Sequence, residues 1–269
     1  MLNLINVDAT TIADAWFQAV YKCLEVGRPF IIDKGSFEGQ KRLEFDWITL
    51  NIKRPGLELL PKINPALNIP DPVAEGYLDG YLPYLMTGEE KVGEAYTYGQ
   101  RICNTLFKLH DHQKNLMIFE DESIYDNRST FIKTNIGDLF NGWLNQMELM
   151  IYTYKNKGHR NNQMILQVGQ PSDMLLVDPP CLRHIDTRIQ DNTLHFFPYF
   201  RSWDLWCGLP ANLAAIEMMK QYCAAEIGVE NGSIIATSKG LHLYDYVWEL
   251  AEIMRGRTIE EFKERVMGK

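Results

Sequence analysis

The chain has no C-x-x-C pair, and its five cysteines (Cys23, Cys103, Cys181, Cys207 and Cys223) are odd in number and widely spaced. That argues against a disulfide framework and a structural zinc site, and fits a reduced, cytoplasmic protein. No apolar run approaches the ~18 residues that cross a bilayer. The N-terminus lacks a basic stretch followed by an apolar one, so neither a membrane span nor a signal peptide is expected. Positive charge is scarce: 27 Lys and Arg stand against 35 Asp and Glu, for a formal net charge of −8. A nucleic acid or an anionic membrane surface is therefore a poor partner, although a local cation cluster could still hold a small anion. Repeats, low-complexity tracts and dividing linkers are also missing. The 269 residues are 46% hydrophobic, enough for a full core, and one mixed α/β domain over 1–269 is expected.

Periodicity supplies the elements. Thr11-Ile12-Ala13-Asp14 has the form of a helix cap, Ile12, Trp16, Ala19, Val20, Cys23 and Leu24 follow at helical spacing, and Gly27 is a stop. Strands are expected at 30–32, 43–52, 164–168, 182–189, 194–200 and 233–236, with 182–189 and 194–200 joined by a turn at Asp191-Asn192. The five prolines of 54–72 mark an irregular connection. Helices are expected over 73–86, 101–118, 138–155, 242–255 and 258–267, and on the face Leu213, Ile216, Met219, Cys223, Ile227. His110-Asp111-His112 invites a metal reading, but a helix sends residues two apart to different faces, so no metal is expected.

Two segments carry the chemistry: Asp178-Pro179-Pro180-Cys181, and Phe200-Arg201-Ser202-Trp203-Asp204 running on to Gly208-Leu209-Pro210-Ala211-Asn212-Leu213-Ala214. They resemble the thymidylate synthase signature P-P-C, R-S-x-D, G-L-P-x-N-I-A, without a gap between Cys181 and Asp204. Tyr96-Thr97-Tyr98-Gly99-Gln100-Arg101 resembles the family's Y-G-x-Q-W-R, and Leu241-His242-Leu243-Tyr244 its A-H-I-Y. The resemblance is clear over about 174–247. It implies a thymidylate-synthase fold, a mixed β-sheet flanked by helices, and a homodimer joined through its sheet faces.

The residue types suit the implied roles. C5 of a pyrimidine is a poor nucleophile until a thiolate adds to C6, so Cys181 is the expected nucleophile, with Arg183 and Arg201 as cations that favour its ionisation. Arg201 and Ser202 can both donate to the 5′-phosphate. The Asn212 amide can donate to O4 of uracil and accept from N3–H, whereas the family's deoxycytidylate hydroxymethylases are similar with Asp at this place; an Asn capping the following helix is the plainer reading. By resemblance, Asp204 binds the pterin of the co-substrate, and His242 and Tyr244 hold the sugar 3′-hydroxyl. For proton handling the candidates are Glu75 and Tyr98, with Tyr96 as the alternative phenol. Lys34 stands where the family has a mobile phosphate-binding Arg, and Arg42 competes with it.

The sequence also departs from the pattern. Asn161-Asn162 replace the paired arginines that reach the partner subunit's phosphate, with Arg160 adjacent. Phe200 replaces a Gln, Leu182 a His and Gly240 an Asp, and only 25 residues follow Tyr244. This is similar to the shorter branch of methanogenic archaea and of antibiotic-pathway nucleotide modifiers. The implied reaction is reductive methylation of dUMP with 5,10-methylenetetrahydrofolate, or with a tetrahydromethanopterin analogue on the short branch. The alternatives are a dCMP, CMP or UMP hydroxymethylase and a non-catalytic nucleotide-binding protein.

Overall fold

The computed structural model describes residues 1–33, 37–90, 92–108, 132–135 and 138–256, with backbone alone for the described residues between 132 and 141. Its strands are β1 (Leu4–Ala9), β2 (Arg28–Ile31), β3 (Lys41–Glu44), β4 (Trp47–Ile52), β5 (Thr105–Lys108), β6 (Ile132–Asn135), β7 (Asp138–Leu144), β8 (Ile165–Gln167), β9 (Leu182–Gln190), β10 (Thr193–Phe200), β11 (Trp203–Asp204), β12 (Glu230–Ser238) and β13 (Leu241–Tyr244). The helices are α1 (Ile12–Val26), α2 (Tyr77–Met86), α3 (Tyr98–Cys103), α4 (Gln146–Lys157), α5 (Gly208–Ile227) and α6 (Trp248–Arg255).

A six-stranded mixed sheet, in the order β1-β4-β12-β10-β9-β8, forms the centre. Strands β4 and β10 bury alternate residues: Ile48, Leu50 and Ile52 on one, Leu194, Phe196 and Phe200 on the other. That period of two gives the sheet one apolar face for helices to cover. Helix α1 lays Ile12, Trp16, Ala19, Val20, Cys23 and Leu24 there, and the Thr11 hydroxyl accepts from the Asp14 N–H at 3.1 Å to start it. Helix α5 is buried on nearly every side, including Leu209, Leu213, Ile216, Met219 and Cys223. The β9–β10 hairpin turns at Asp191 and Asn192, both left-handed at φ 51° and 58°, as a two-residue hairpin turn requires.

Two crossings build the site. Parallel neighbours β10 and β12 each leave the central sheet at the same end and continue, as β11 and β13, into a four-stranded sheet ordered β11-β13-β3-β2. The links are Arg201-Ser202 and Lys239-Gly240. Gly240 has φ +146°, and a Cβ there would lie 3.4 Å from the Arg201 carbonyl, so the two crossings pass in contact.

Several expected elements differ. Residues 138–144 are strand β7 in a three-stranded sheet with β5 and β6, and the helix starts only at Gln146, where the Asn145 side chain accepts from the Glu148 N–H at 3.2 Å. Residues 241–244 pair with β3 and β11 as a strand, and the helix begins at Trp248. Helix α3 starts three residues early, capped by Thr97, and ends at Cys103 before β5. The strand expected at 43–52 is two, broken at Phe45-Asp46, and β1 was not anticipated. The remainder of the helix expected at 101–118, and that at 258–267, lie outside the described residues.

Gly99 fixes where α3 meets α2. A Cβ on it would fall 2.2 Å from the Thr87 carbonyl oxygen and 2.4 Å from that of Tyr84. Backbone oxygens cannot rotate aside, so Gly99→Ala is expected to destabilise the protein by roughly 1–3 kcal/mol through overpacking. A urea midpoint equal to the parent's would show that the two helices separate freely.

Candidate active site

Cys181 ends the Pro179-Pro180 segment just before β9, and its carbonyl accepts the Arg201 N–H at 2.9 Å. The nucleophile candidate is thus tied to the first sheet crossing. It is half-buried in a cavity of about 670 Å³ that Arg42, Asp178, Arg201, Ser202, Trp203, Asp204, His242 and Tyr244 also line. The two crossings bring together residues from Asp178 to Tyr244, and β3 adds Arg42 from far earlier in the chain.

Burial pushes the Cys181 thiol above its ordinary value; Arg201 and Arg183 oppose that and Asp178 adds to it. The expected cationic neighbours are therefore present, but desolvation outweighs them. Arg201 is held by the segment it serves, donating from Nε to the Pro180 carbonyl at 3.2 Å and from its terminal nitrogen to the Pro179 carbonyl and the Asp178 carboxylate. Arg42 faces the same cavity from β3, ion-paired to Glu44 at 2.6 Å. Behind them, buried Asp173 receives both Arg101 and Arg183 at 3.0 Å. Burial raises the Asp173 carboxyl, but the Gln170 N–H and the two guanidinium groups outweigh that and hold it below its ordinary value.

His242 is buried, and its Nδ1 meets the Gly240 carbonyl at 2.9 Å. A carbonyl only accepts, so Nδ1 carries the proton and Nε2 keeps a lone pair, with no partner among the described residues. Burial is the main cause that drives its pKa down to about 4, so the ring is a neutral acceptor at physiological pH. A sugar hydroxyl is a fitting donor to it. Tyr244 stands edge-on to His242, with ring centroids 4.7 Å apart.

Asp204 accepts three backbone N–H groups, from Trp206 at 3.1 Å, Cys207 at 3.1 Å and Gly208 at 2.9 Å, and so closes the N-terminus of α5. Burial raises its pKa against those three bonds. It still borders the cavity, and a carboxylate has capacity beyond three acceptor bonds.

A second lobe of about 570 Å³ is lined by Tyr77, Gly80, Tyr81, Tyr84, Tyr96, Tyr98 and Asn212. Trp203 joins the lobes, since its Nε1–H donates to Asn212 Oδ1 at 2.8 Å. An indole can only donate, so this bond fixes which end of the amide is oxygen. Asn212 Nδ2 then donates to the Tyr81 hydroxyl. Tyr98 accepts the Leu182 N–H at 3.3 Å, one residue from Cys181.

Not every candidate is brought here. Glu75 is exposed in the turn before α2, outside both lobes, because left-handed Gly76 (φ 76°) starts the helix after it. Arg160 lines a separate groove with His159, Asn161, Asn162 and Arg188. Arg188 lies at the far end of β9 from Cys181, roughly 20 Å along the strand. Lys34 and His110-Asp111-His112 lie outside the described residues, and among those described no cluster of three His, Cys, Asp or Glu could hold a metal. No helix among them is long and apolar enough to cross a membrane. Sequence reasoning missed Tyr81 and the Asp173 pairing. Tyr81 sits in a run of tyrosines with no motif around it, and only the fold shows which one reaches Asn212.

Comparison with known proteins gives the family. The family model for thymidylate synthase matches residues 85–266. A Methanosarcina mazei protein provisionally named thymidylate synthase is 26% identical over 251 residues, covering 93% of this chain and 94% of its own length. A Methanothermobacter thermautotrophicus protein of the same provisional name is 23% identical, covering 92% and 96%. The thymidylate synthase of Phytoplasma mali is 27% identical over 62% of this chain and 59% of its own. With the family model matching most of the chain, and archaeal relatives aligned along nearly their whole length, this protein belongs to the thymidylate synthase family, on its short archaeal-like branch.

Proposed function

We propose that this protein methylates dUMP to dTMP through a covalent Cys181 adduct. Family membership brings one-carbon transfer to C5 of a pyrimidine nucleotide; the uracil base, the methyl outcome and the residue roles are our inference. The observation that carries it is the Asn212 amide, locked by Trp203 in one orientation beside a cavity that holds Cys181, Arg201 and Ser202.

In this reading Arg201, Ser202 and Arg42 take the 5′-phosphate, and His242 and Tyr244 take the sugar hydroxyl. The Cys181 thiolate adds to C6, and the C5–C6 π pair moves through C4 to O4. C5 then bonds the one-carbon unit, loses its proton, and the thiolate leaves C6. A methylenetetrahydrofolate-type co-substrate, when bound, supplies the carbon and the hydride. The residues present suit such a molecule: five tyrosine rings give flat aromatic walls for a planar heterocycle, and Asp204 offers acceptor capacity for a donor-bearing edge. Tyr98 beside Leu182 is our candidate for proton handling, since Glu75 lies outside the cavity.

We also infer a homodimer through the open sheet face, where Trp47, His184 and Tyr199 cluster half-buried, the rings of Trp47 and His184 lying 5.9 and 5.6 Å from that of Tyr199. Arg160 would then serve the partner subunit's phosphate rather than its own.

The test is product mass after incubation with dUMP, dCMP, UMP or CMP plus methylenetetrahydrofolate, followed by dUMP–dCMP competition. The parent should convert dUMP to dTMP. Asn212→Asp should move preference towards dCMP by about tenfold or more, since a buried polar mismatch costs about 1–3 kcal/mol. A hydroxymethyl product, or a parent that prefers cytosine, would overturn this assignment in favour of a hydroxymethylase.

A further inference from the structure

No carboxylate among the described residues lines the tyrosine lobe, yet the amide that faces it is fully oriented. Asn212 gives one oxygen lone pair to Trp203 and one N–H to Tyr81. Each end of the amide keeps one free valence for a base edge. The Tyr81 oxygen accepts from Asn212, so its own O–H is not used in that bond and stands next to the same base edge. Tyr77 and Tyr84 stack on either side of the Tyr81 ring, at centroid distances of 5.7 and 5.9 Å, and hold it in place. Tyr98 differs: its oxygen is tied to the Leu182 N–H, on the side of the nucleophile.

We propose that Tyr81 is a further catalytic residue, whose phenol donates a hydrogen bond to O4 of the pyrimidine as Cys181 adds to C6. This rests on the C5 one-carbon reading above. Addition forms the S–C6 bond and breaks the C5–C6 π bond. The displaced pair forms a C4–C5 double bond, and the C4–O4 π pair becomes negative charge on O4. A donor placed where that charge develops stabilises the transition state more than the ground state. No proton leaves Tyr81; the bond shortens and relaxes as the charge comes and goes. The phenol must stay protonated to do this, and burial, helped by Tyr98 and Tyr77, holds its pKa well above the ordinary value against the Asn212 hydrogen bond.

The experiment isolates the addition step. Enzyme and dUMP are mixed in D2O without a one-carbon donor. Reversible addition at C6 makes C5 basic, so deuterium enters C5 and is read by mass, and dUMP affinity is measured in parallel by calorimetry. Tyr81→Phe should slow exchange on the order of 100-fold while changing affinity by no more than about threefold. A fluorinated tyrosine at position 81, a stronger donor of the same shape, should exchange faster than the parent. Exchange in Tyr81→Phe within about threefold of the parent would overturn the proposal. So would equal losses in rate and affinity together with no response to fluorination, because Tyr81 would then only hold Asn212. A parent that exchanges no C5 proton on dUMP, dCMP, UMP or CMP would instead overturn the C5 reading itself, and the Tyr81 role with it.

Discussion

Cys181→Ser is expected to bind nucleotide as the parent does and to lose nearly all turnover. The serine hydroxyl nearly matches the thiol in size, so the cavity formed with Arg201, Ser202 and His242 stays intact. What changes is ionisation. A free thiol loses its proton near pH 8.5, within reach of Arg201, while an alcohol does not ionise in the accessible range. Addition to C6 needs the anion. Burial sets the Cys181 thiol above its ordinary value, so alkylation of Cys181 by iodoacetamide should be slow at neutral pH and quicken as pH rises beyond the usual thiol range. Peptide mass should follow it, so that alkylation at Cys181 is read apart from any at exposed Cys207. Turnover by the serine variant at even about a tenth of the parent rate would make the covalent mechanism wrong.

Arg201→Ala should act twice, because the guanidinium faces the cavity and also ties down residues 178–180. Its donors reach the Pro180 and Pro179 carbonyls and the Asp178 carboxylate, and its backbone N–H holds the Cys181 carbonyl. Losing the phosphate partner should weaken dUMP by roughly 2–5 kcal/mol. Deoxyuridine, which has no phosphate, should bind equally poorly to both proteins. Turnover should fall further than affinity, because Arg201 is the strongest influence that lowers the Cys181 thiol. Arg201→Lys should recover only part of either, since an ammonium cannot reproduce the planar fork. Parent-like dUMP affinity in the alanine variant would move the phosphate to Arg42, or to Lys34 or the partner subunit's Arg160.

Local sequence carries little information about pairing partners, and the fold shows where that matters. Residues 138–144 have the apolar spacing of a helix start but lie between β5 and β6, whose ladders take their backbone groups. Residues 241–244 look like the first turn of a helix but complete a sheet between β11 and β3. Backbone groups that long-range partners can satisfy override local preference. The hairpin at 182–200 was legible because its alternation and its Asp191-Asn192 turn are both local.

The sequence by itself determined the family and named the candidate residues. Pro-Pro-Cys, Arg-Ser-x-Asp and the Asn212 segment are contiguous, and each residue type answers to a chemical need that can be stated without coordinates. Tertiary structure decided how those residues stand to one another. It made Asp204 the cap of α5, left Glu75 in solvent, kept Arg160 apart from Cys181, and set Tyr81 against Asn212. Those outcomes depend on two sheet crossings and on helix α2 packing against α5, contacts between segments up to 131 residues apart in the chain. Burial and distance between such segments set a side chain's protonation and reach, and neither quantity is encoded in the residues next to it.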